Sequence, residues 1–229
     1  MKLAVFDLDG TLAELGRGIL PSDIELLKEI ENAGVRIAIC SGKPVYYLCG
    51  FMRQVGLKRP ILIGENGAVI QFGVDLPPKD YYVLPYSNEA KESIHFLKDK
   101  ISEELPGIWY QPNEVGLTPF PKSEEEFEKI VSILDRYGNE IQEVDVYRHV
   151  DSFDIIPKGI DKKAGLEYLG QLLGIFALDM ISVGDGVNDY PMFEYTGLAF
   201  GIHVKEEEKV DKNFQTITEA LRALLKFSR

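Results

Sequence analysis

Short apolar segments that alternate with amphipathic helical patterns constrain the fold of this chain most strongly. Four of them are VRIAIC, PILIG, MISV and the run from Lys2 to Phe6, and they are apolar at nearly every position. A strand that is apolar on both faces has to be covered on both faces, as in a parallel sheet between layers of helices. The sequence therefore predicts an α/β fold with a Rossmann-like, doubly wound parallel-sheet core.

The strand pattern changes between residues 73 and 157. Here the extended segments alternate apolar and polar residues, as in VDVYRHV, and seven prolines lie between positions 77 and 121. Alternation is typical of an antiparallel sheet with one covered face, and two helical patterns lie at about 88–105 and 123–137. We therefore expect residues 1–72 and 158–229 to form the core and residues 73–157 to form an inserted α+β cap domain.

The charge balance and the hydropathy pattern exclude several classes of protein. A net charge of −12 argues against binding to nucleic acid or to an anionic membrane. No apolar run approaches the ~20 residues that cross a bilayer, and no signal-peptide pattern opens the chain. We expect a cytoplasmic protein, a monomer or a homodimer, in which Cys40 and Cys49 are buried thiols.

Four polar motifs end core strands or begin the helices that follow them. They are DLDGT at 7–11, SGK at 41–43, DKK at 161–163 and GDGVND at 184–189. In an open parallel sheet, ligands bind beyond the carboxyl ends of the strands. We therefore expect these motifs to converge at one edge of the sheet.

The converging side chains indicate a divalent cation and a phosphoryl group. Four carboxylates meet there: Asp7, Asp9, Asp185 and Asp189. Without a cation they would destabilise one another, and Mg²⁺ is commonly held by carboxylates, waters and a substrate phosphate. The Ser41 hydroxyl and the Lys162 ammonium suit phosphoryl oxygens, and Gly10 and Gly42 expose backbone N–H groups beside helix starts.

The spacing of the first two carboxylates allows both of them to act on one substrate. Residues i and i+2 of a strand face the same way, so Asp7 and Asp9 can both reach one substrate. Asp7 would attack phosphorus to form a phospho-aspartate. Asp9 would protonate the leaving oxygen and then activate the hydrolytic water.

The motifs DLDGT, SGK and GDGVNDYPM, with Lys162 between the last two, resemble in order the four motifs of the haloacid dehalogenase superfamily of phosphatases. The resemblance implies that Asp7 is the nucleophile and a Mg²⁺ ligand. It implies that Asp9 is the acid/base and binds the metal through its backbone carbonyl. Asp185 and Asp189 would complete the metal site, and Asp189 remains open as a direct or an indirect ligand.

The same resemblance implies a phosphate-binding set. Ser41 and Lys162 would hold the phosphoryl group with Gly42 beside them, and Asn188 would orient the phosphate side or the loop. Lys163 remains an alternative to Lys162, because adjacent helical residues face different ways.

The position of the insertion resembles the second cap class of that superfamily, whose members hydrolyse small metabolites such as phosphoglycolate and sugar phosphates. GENGAVI at 64–70 resembles a stretch in those members, whereas Lys43 stands where many of them carry Arg or Asn. In size the chain resembles archaeal-type phosphoglycolate phosphatases and sucrose-phosphatase-like enzymes. The expected substrate is 2-phosphoglycolate. The alternatives are a phosphatase for sucrose-phosphate or mannosyl-phosphoglycerate, a phosphomutase, or a non-hydrolytic phosphoacceptor.

Overall fold

The computed structural model describes residues 1–227, which form twelve strands and seven α-helices. In chain order they are β1 (Leu3–Phe6), α1 (Pro21–Asn32), β2 (Arg36–Cys40), α2 (Val45–Val55), β3 (Ile61–Gly64), β4 (Val69–Phe72), β5 (Asp80–Val83), α3 (Asn88–Glu104), β6 (Trp109–Gln111), β7 (Thr118–Phe120), α4 (Glu124–Tyr137), β8 (Val144–Arg148), β9 (Phe153–Pro157), α5 (Lys162–Leu173), β10 (Met180–Gly184), α6 (Tyr190–Tyr195), β11 (Leu198–Ile202), β12 (Lys212–Phe214) and α7 (Ile217–Phe227). Two compact units result: Met1–Val83 with the segment from Asp161 onward, and Leu84–Ile160. None of the helices in this part of the chain is long and apolar enough to cross a membrane.

The first unit is built on one eight-stranded sheet with the order β12-β11-β10-β1-β2-β3-β4-β5. The six strands from β12 to β3 are parallel, and β4 and β5 are antiparallel to their neighbours. The predicted α/β class with a parallel-sheet core is confirmed. The sheet extends beyond residue 72, because β5 pairs with β4.

β1 lies at the centre of this sheet, between β2 and β10. All four of its residues are fully buried, and burial of a side chain such as Phe6 stabilises the fold by about 1.5–3 kcal/mol. From β1 the chain proceeds to β2 and β3 on one side and returns to β10 on the other. The carboxyl end of β1 is therefore a topological switch point, the place where open α/β sheets bind ligands.

The second unit is an α+β body of two hairpins and two helices. β6 pairs with β7, and β8 pairs with β9, both antiparallel. Backbone hydrogen bonds between Leu117 and Ile155, at 2.9 and 3.0 Å, join the two hairpins. The helices α3 and α4 cover an apolar cluster that includes the buried Leu97, Ile130 and Phe153. Both predicted helices are present, each with a serine N-cap, at Ser87 and Ser123.

Candidate active site

Three of the four motifs begin where parallel strands end. The backbone N–H of Asp7 donates to the carbonyl of Val183 at 2.9 Å, and that of Ser41 donates to Ile63 at 2.9 Å. These bonds continue the sheet ladder by one residue and fix both motif residues at its edge. Asp185 directly follows β10, the neighbour of β1 on the other side.

Lys162 brings the third motif to the same edge. Its ammonium nitrogen lies 2.6 Å from Asp7 Oδ1 and 2.5 Å from Asp189 Oδ1, and the side chain is fully buried. Asp161 is the N-cap of α5, since its Oδ1 accepts from the backbone N–H of Ala164 at 2.8 Å. Lys163 is half exposed and lies near Glu167. The structure therefore places the ammonium of Lys162, and not that of Lys163, between Asp7 and Asp189.

Asp7, Asp185 and Asp189 form a carboxylate cluster, with one oxygen of each within 4.8 Å of the others. Burial raises the pKa of Asp7 to about 7, against the lowering effect of Lys162, and the charges of Asp189 and Asp185 add to the rise. Burial also raises the pKa of Asp185. Hard oxygen donors that repel one another in a buried site fit Mg²⁺, which would relieve that repulsion.

Asp189 has both carboxylate oxygens engaged by the protein. Oδ1 binds Lys162, and Oδ2 accepts from the backbone N–H groups of Asp185 and Gly186 at 2.9 and 3.0 Å. These bonds hold the 185–186 loop against α5. Asp189 therefore orders the loop and the lysine, whatever it contributes to a metal directly.

The carboxylate of Asp9 faces a different cation. Its Oδ2 lies 3.9 Å from Lys43 Nζ, and about a quarter of the Asp9 side chain is exposed. Partial burial raises the pKa of Asp9, against the lowering effects of Lys43 and Lys162. A carboxyl group with a raised pKa at the rim of the site suits proton transfer to and from a leaving group. The pairing with Lys43 was not predicted from the sequence.

The Asp185 carboxylate is bonded to Thr11 and lies against Gly10. The backbone N–H of Gly10 is not exposed as expected, because it donates to the carbonyl of Ala13 at 2.8 Å. The Thr11 hydroxyl donates to Asp185 Oδ1 at 2.7 Å. Gly10 has φ +91°, and a Cβ there would overlap the Asp185 carboxylate. No role for Thr11 was predicted from the sequence, although its place in the DLDGT motif, two residues after Asp9, was the available signal.

The remaining predicted residues follow strands at the same edge, Ser41 and Gly42 in a loop and Asn188 in a 3-10 turn. Ser41 is buried, and its Oγ accepts from the backbone N–H of Lys43 at 3.2 Å. Gly42 packs against Asn66, because a Cβ on Gly42 would lie 3.4 Å from that side chain. Asn188 is exposed, and its side-chain oxygen folds back over Gly186.

The sequence matches the family of haloacid dehalogenase-like hydrolases over residues 4–114 and 79–219. The chain belongs to the haloacid dehalogenase-like hydrolase family. It is a phosphatase of this type, and it acts on a phosphorylated small molecule. The predicted resemblance is thus confirmed at the level of the superfamily.

Individual relatives are distant but extend over most of the chain. A phosphoglycolate phosphatase of Methanococcoides burtonii is 26% identical over 204 residues, which cover 89% of this chain and 83% of that protein. An HMP-PP phosphatase of Yersinia pseudotuberculosis is 25% identical over 224 residues, which cover 86% of this chain and 81% of that protein. A haloacid dehalogenase-like hydrolase from Bacteroides thetaiotaomicron has the same fold, with a TM-score of 0.81 and 18% identity. The match covers 97% of this chain and 99% of that chain.

Proposed function

We propose that the protein is a Mg²⁺-dependent phosphatase that hydrolyses a small phosphomonoester through a phospho-aspartate on Asp7. The observation that carries this proposal is the buried Lys162 ammonium, bonded to both Asp7 and Asp189 beside Asp185. Mg²⁺ would be held by Asp7 and Asp185, with Asp189 and the Asp9 backbone carbonyl completing the set. When bound it would supply positive charge to the phosphoryl oxygens.

The reaction would proceed in two displacements on phosphorus. In the first, an Asp7 carboxylate oxygen forms a bond to phosphorus, the bond to the leaving oxygen breaks, and the Asp9 carboxyl donates its proton to that oxygen. In the second, the Asp9 carboxylate takes a proton from water, the water oxygen bonds to phosphorus, and the bond to Asp7 breaks. Inorganic phosphate leaves, and Asp7 and Asp9 return to their starting protonation states.

The phosphoryl group would be held by groups separate from the reacting pair. Lys162 would provide a buried ammonium and Ser41 a hydroxyl, with Gly42 next to Ser41 in the same loop. Asn188 would orient the loop on the phosphate side. Positioning and charge neutralisation of this kind supply most of the catalysis in phosphoryl transfer.

The substrate we propose is 2-phosphoglycolate. A relative named phosphoglycolate phosphatase aligns over most of the chain. Lys43 supports the choice independently, because its ammonium lies next to Asp9, the group that would protonate the leaving oxygen. A leaving group that carries a carboxylate, as glycolate does, would meet a positive charge there. Residues 73–157 are proposed to select the substrate as a cap domain.

A phosphate-release assay with Mg²⁺ tests the proposal. The panel contains 2-phosphoglycolate, hexose phosphates, sucrose phosphate, nucleotides and HMP-PP, the last because a relative of similar identity carries that name. We expect the highest kcat/KM for 2-phosphoglycolate and no release from the Asp7→Asn variant. Isomerised sugar phosphate without released phosphate would indicate a phosphomutase instead, and a stable phosphoprotein without turnover would indicate a phosphoacceptor.

A further inference from the structure

The turn at Glu65–Gly67 has an unusual backbone. The φ angles of Glu65, Asn66 and Gly67 are +52°, +54° and +110°. Within residues 1–227 it is the one place where two consecutive non-glycine residues have positive φ. Such conformations are unfavourable for residues with a Cβ, and they persist where the surrounding structure imposes them, often at functional sites.

One side of the turn is bonded to the loop that carries Ser41. The backbone N–H of Glu65 donates to the carbonyl of Lys43 at 3.1 Å, and that of Asn66 donates to the carbonyl of Ser41 at 3.0 Å. The Asn66 side chain also packs against Gly42. The left-handed conformation thus directs two successive N–H groups to the ends of the same three-residue motif.

The other side of the turn lies against the first turn of α5. A Cβ on Gly67 would overlap the carbonyl oxygen of Asp161, the residue directly before Lys162. A Cβ on Gly165 would lie 2.7 Å from the Gly67 Cα. Glycine is unfavourable inside a helix, and here it permits a contact between helix and turn that has no room for a methyl group.

We propose that the Glu65–Gly67 turn is a positioning element for phosphate binding. It fixes the spacing between the Ser41 hydroxyl and the Lys162 ammonium, because it contacts the loop that carries one and the helix turn that carries the other. The inference rests on the proposed function, in which these two groups hold the phosphoryl oxygens. Asp185 is hydrogen-bonded to Thr11 and lies against Gly10, and both of these residues belong to a different segment. Changes in the turn should therefore weaken phosphate binding more than metal binding.

The experiment compares Gly165→Ala with Gly50→Ala in the full chain, loaded with Mg²⁺ for the phosphate measurements and metal-free for the Mg²⁺ titration. Both substitutions add a methyl group inside a helix, but a Cβ on Gly50 would meet no atom within 4 Å. The readouts are the Kd of inorganic phosphate and the Kd of Mg²⁺, both by calorimetry, and KM and kcat for para-nitrophenyl phosphate. For Gly165→Ala we expect about tenfold weaker phosphate binding and a smaller loss of Mg²⁺ affinity. Gly50→Ala should match the wild type, and a folded Gly165→Ala protein with wild-type phosphate affinity would overturn the proposal.

A second pair of variants serves if Gly165→Ala does not fold. Asn66→Gly and Asn66→Ala remove the same side chain, but only glycine adopts a φ of +54° without a Cβ conflict. Positioning by the backbone predicts near-wild-type phosphate affinity for Asn66→Gly and weaker affinity for Asn66→Ala. Equal losses would assign the effect to the side chain and overturn the proposal. A wild-type protein that neither binds phosphate nor releases it from any ester would overturn the proposed function itself, and this inference with it.

Discussion

The Lys162 ammonium lies 2.6 Å from the Asp7 carboxylate, although 155 positions separate the two residues in the chain. Burial disfavours the charged ammonium, but the charges of Asp189 and Asp7 outweigh it and raise the pKa of Lys162. The lysine therefore stays protonated and offsets part of the repulsion among the buried carboxylates. The same ion pair is therefore expected to stabilise the folded unit and to place Lys162 beside the proposed nucleophile, Asp7.

Replacement of this lysine should cost stability. Lys162→Met leaves Asp7 and Asp189 buried without their cation, and we expect the free energy of unfolding to fall by about 3–5 kcal/mol. Urea unfolding in the presence of a chelator measures the change. Lys163→Met is the matched control, and its effect should stay within about 0.5 kcal/mol because Lys163 is half exposed. Equal effects of the two substitutions would contradict the structural role of Lys162.

Substitution of either reacting carboxylate should affect turnover in a distinct way. Asp7→Asn should abolish phosphate release and capture of a fluoroberyllate mimic, because the amide cannot attack phosphorus. Asp9→Asn should lower kcat by about 10²–10⁴-fold with little change in the affinity for inorganic phosphate, because only proton transfer is lost. Steady-state kinetics with phosphate-binding calorimetry separates the two. Full activity of Asp7→Asn would eliminate the covalent mechanism.

The Thr11 hydroxyl should tune metal binding through Asp185. Thr11→Val removes the 2.7 Å hydrogen bond to Asp185, and we expect Mg²⁺ to bind about 10–100-fold more weakly. Thr11→Ser keeps a hydroxyl and should restore most of the affinity. Calorimetric titration with Mg²⁺ in the absence of substrate makes the comparison. Identical Mg²⁺ affinities for the two variants would remove Thr11 from the metal site.

Lys43 should influence which esters are preferred. Lys43→Met removes the cation beside Asp9, and we expect kcat/KM for 2-phosphoglycolate to fall about tenfold relative to that for 2-hydroxyethyl phosphate, an alkyl ester whose leaving group is uncharged. The ratio is the readout, because both leaving groups are alkyl alcohols that need a proton from Asp9, so an effect on Asp9 alone should change both substrates to a similar extent. Lys43→Arg keeps the charge and should keep the preference. An unchanged ratio in Lys43→Met would withdraw Lys43 as support for an acidic leaving group.

The two cysteines should be unreactive in the folded protein. Both are buried free thiols. Burial raises the pKa of Cys40 to about 12, against the lowering effect of Lys162, and burial also raises the pKa of Cys49. Since the thiolate is the reactive form, a raised pKa leaves both thiols neutral at pH 8. Ellman's reagent should modify neither at pH 8 until urea is added, and rapid modification of the native protein would contradict this.

Local patterns in the sequence predicted the elements well. The patterns at 88–105 and 123–137 correspond to α3 and α4. The parallel sheet followed from strands that are apolar on both faces. These features depend on residues close together in the chain, so the sequence expresses them directly.

Pairings between distant segments were harder to predict from the sequence. The sequence of the strand at Asp80–Val83 is compatible with either unit. In the structure this strand is mostly half-buried and pairs with β4 in the core sheet. The salt bridge between Asp9 and Lys43 and the hydrogen bond from Thr11 to Asp185 also depend on how strand-end loops pack. Nothing in the local pattern specifies the direction of these side chains.

The sequence by itself therefore determined the fold class and the set of polar residues at the carboxyl edge of the sheet, because strand periodicity and motif order are local properties. Only the tertiary structure decided which cation meets which carboxylate: Lys162 with Asp7 and Asp189, and Lys43 with Asp9. The physical reason is that electrostatic interactions in a buried site depend on distances of a few ångströms, and these are set by the packing of segments far apart in the chain.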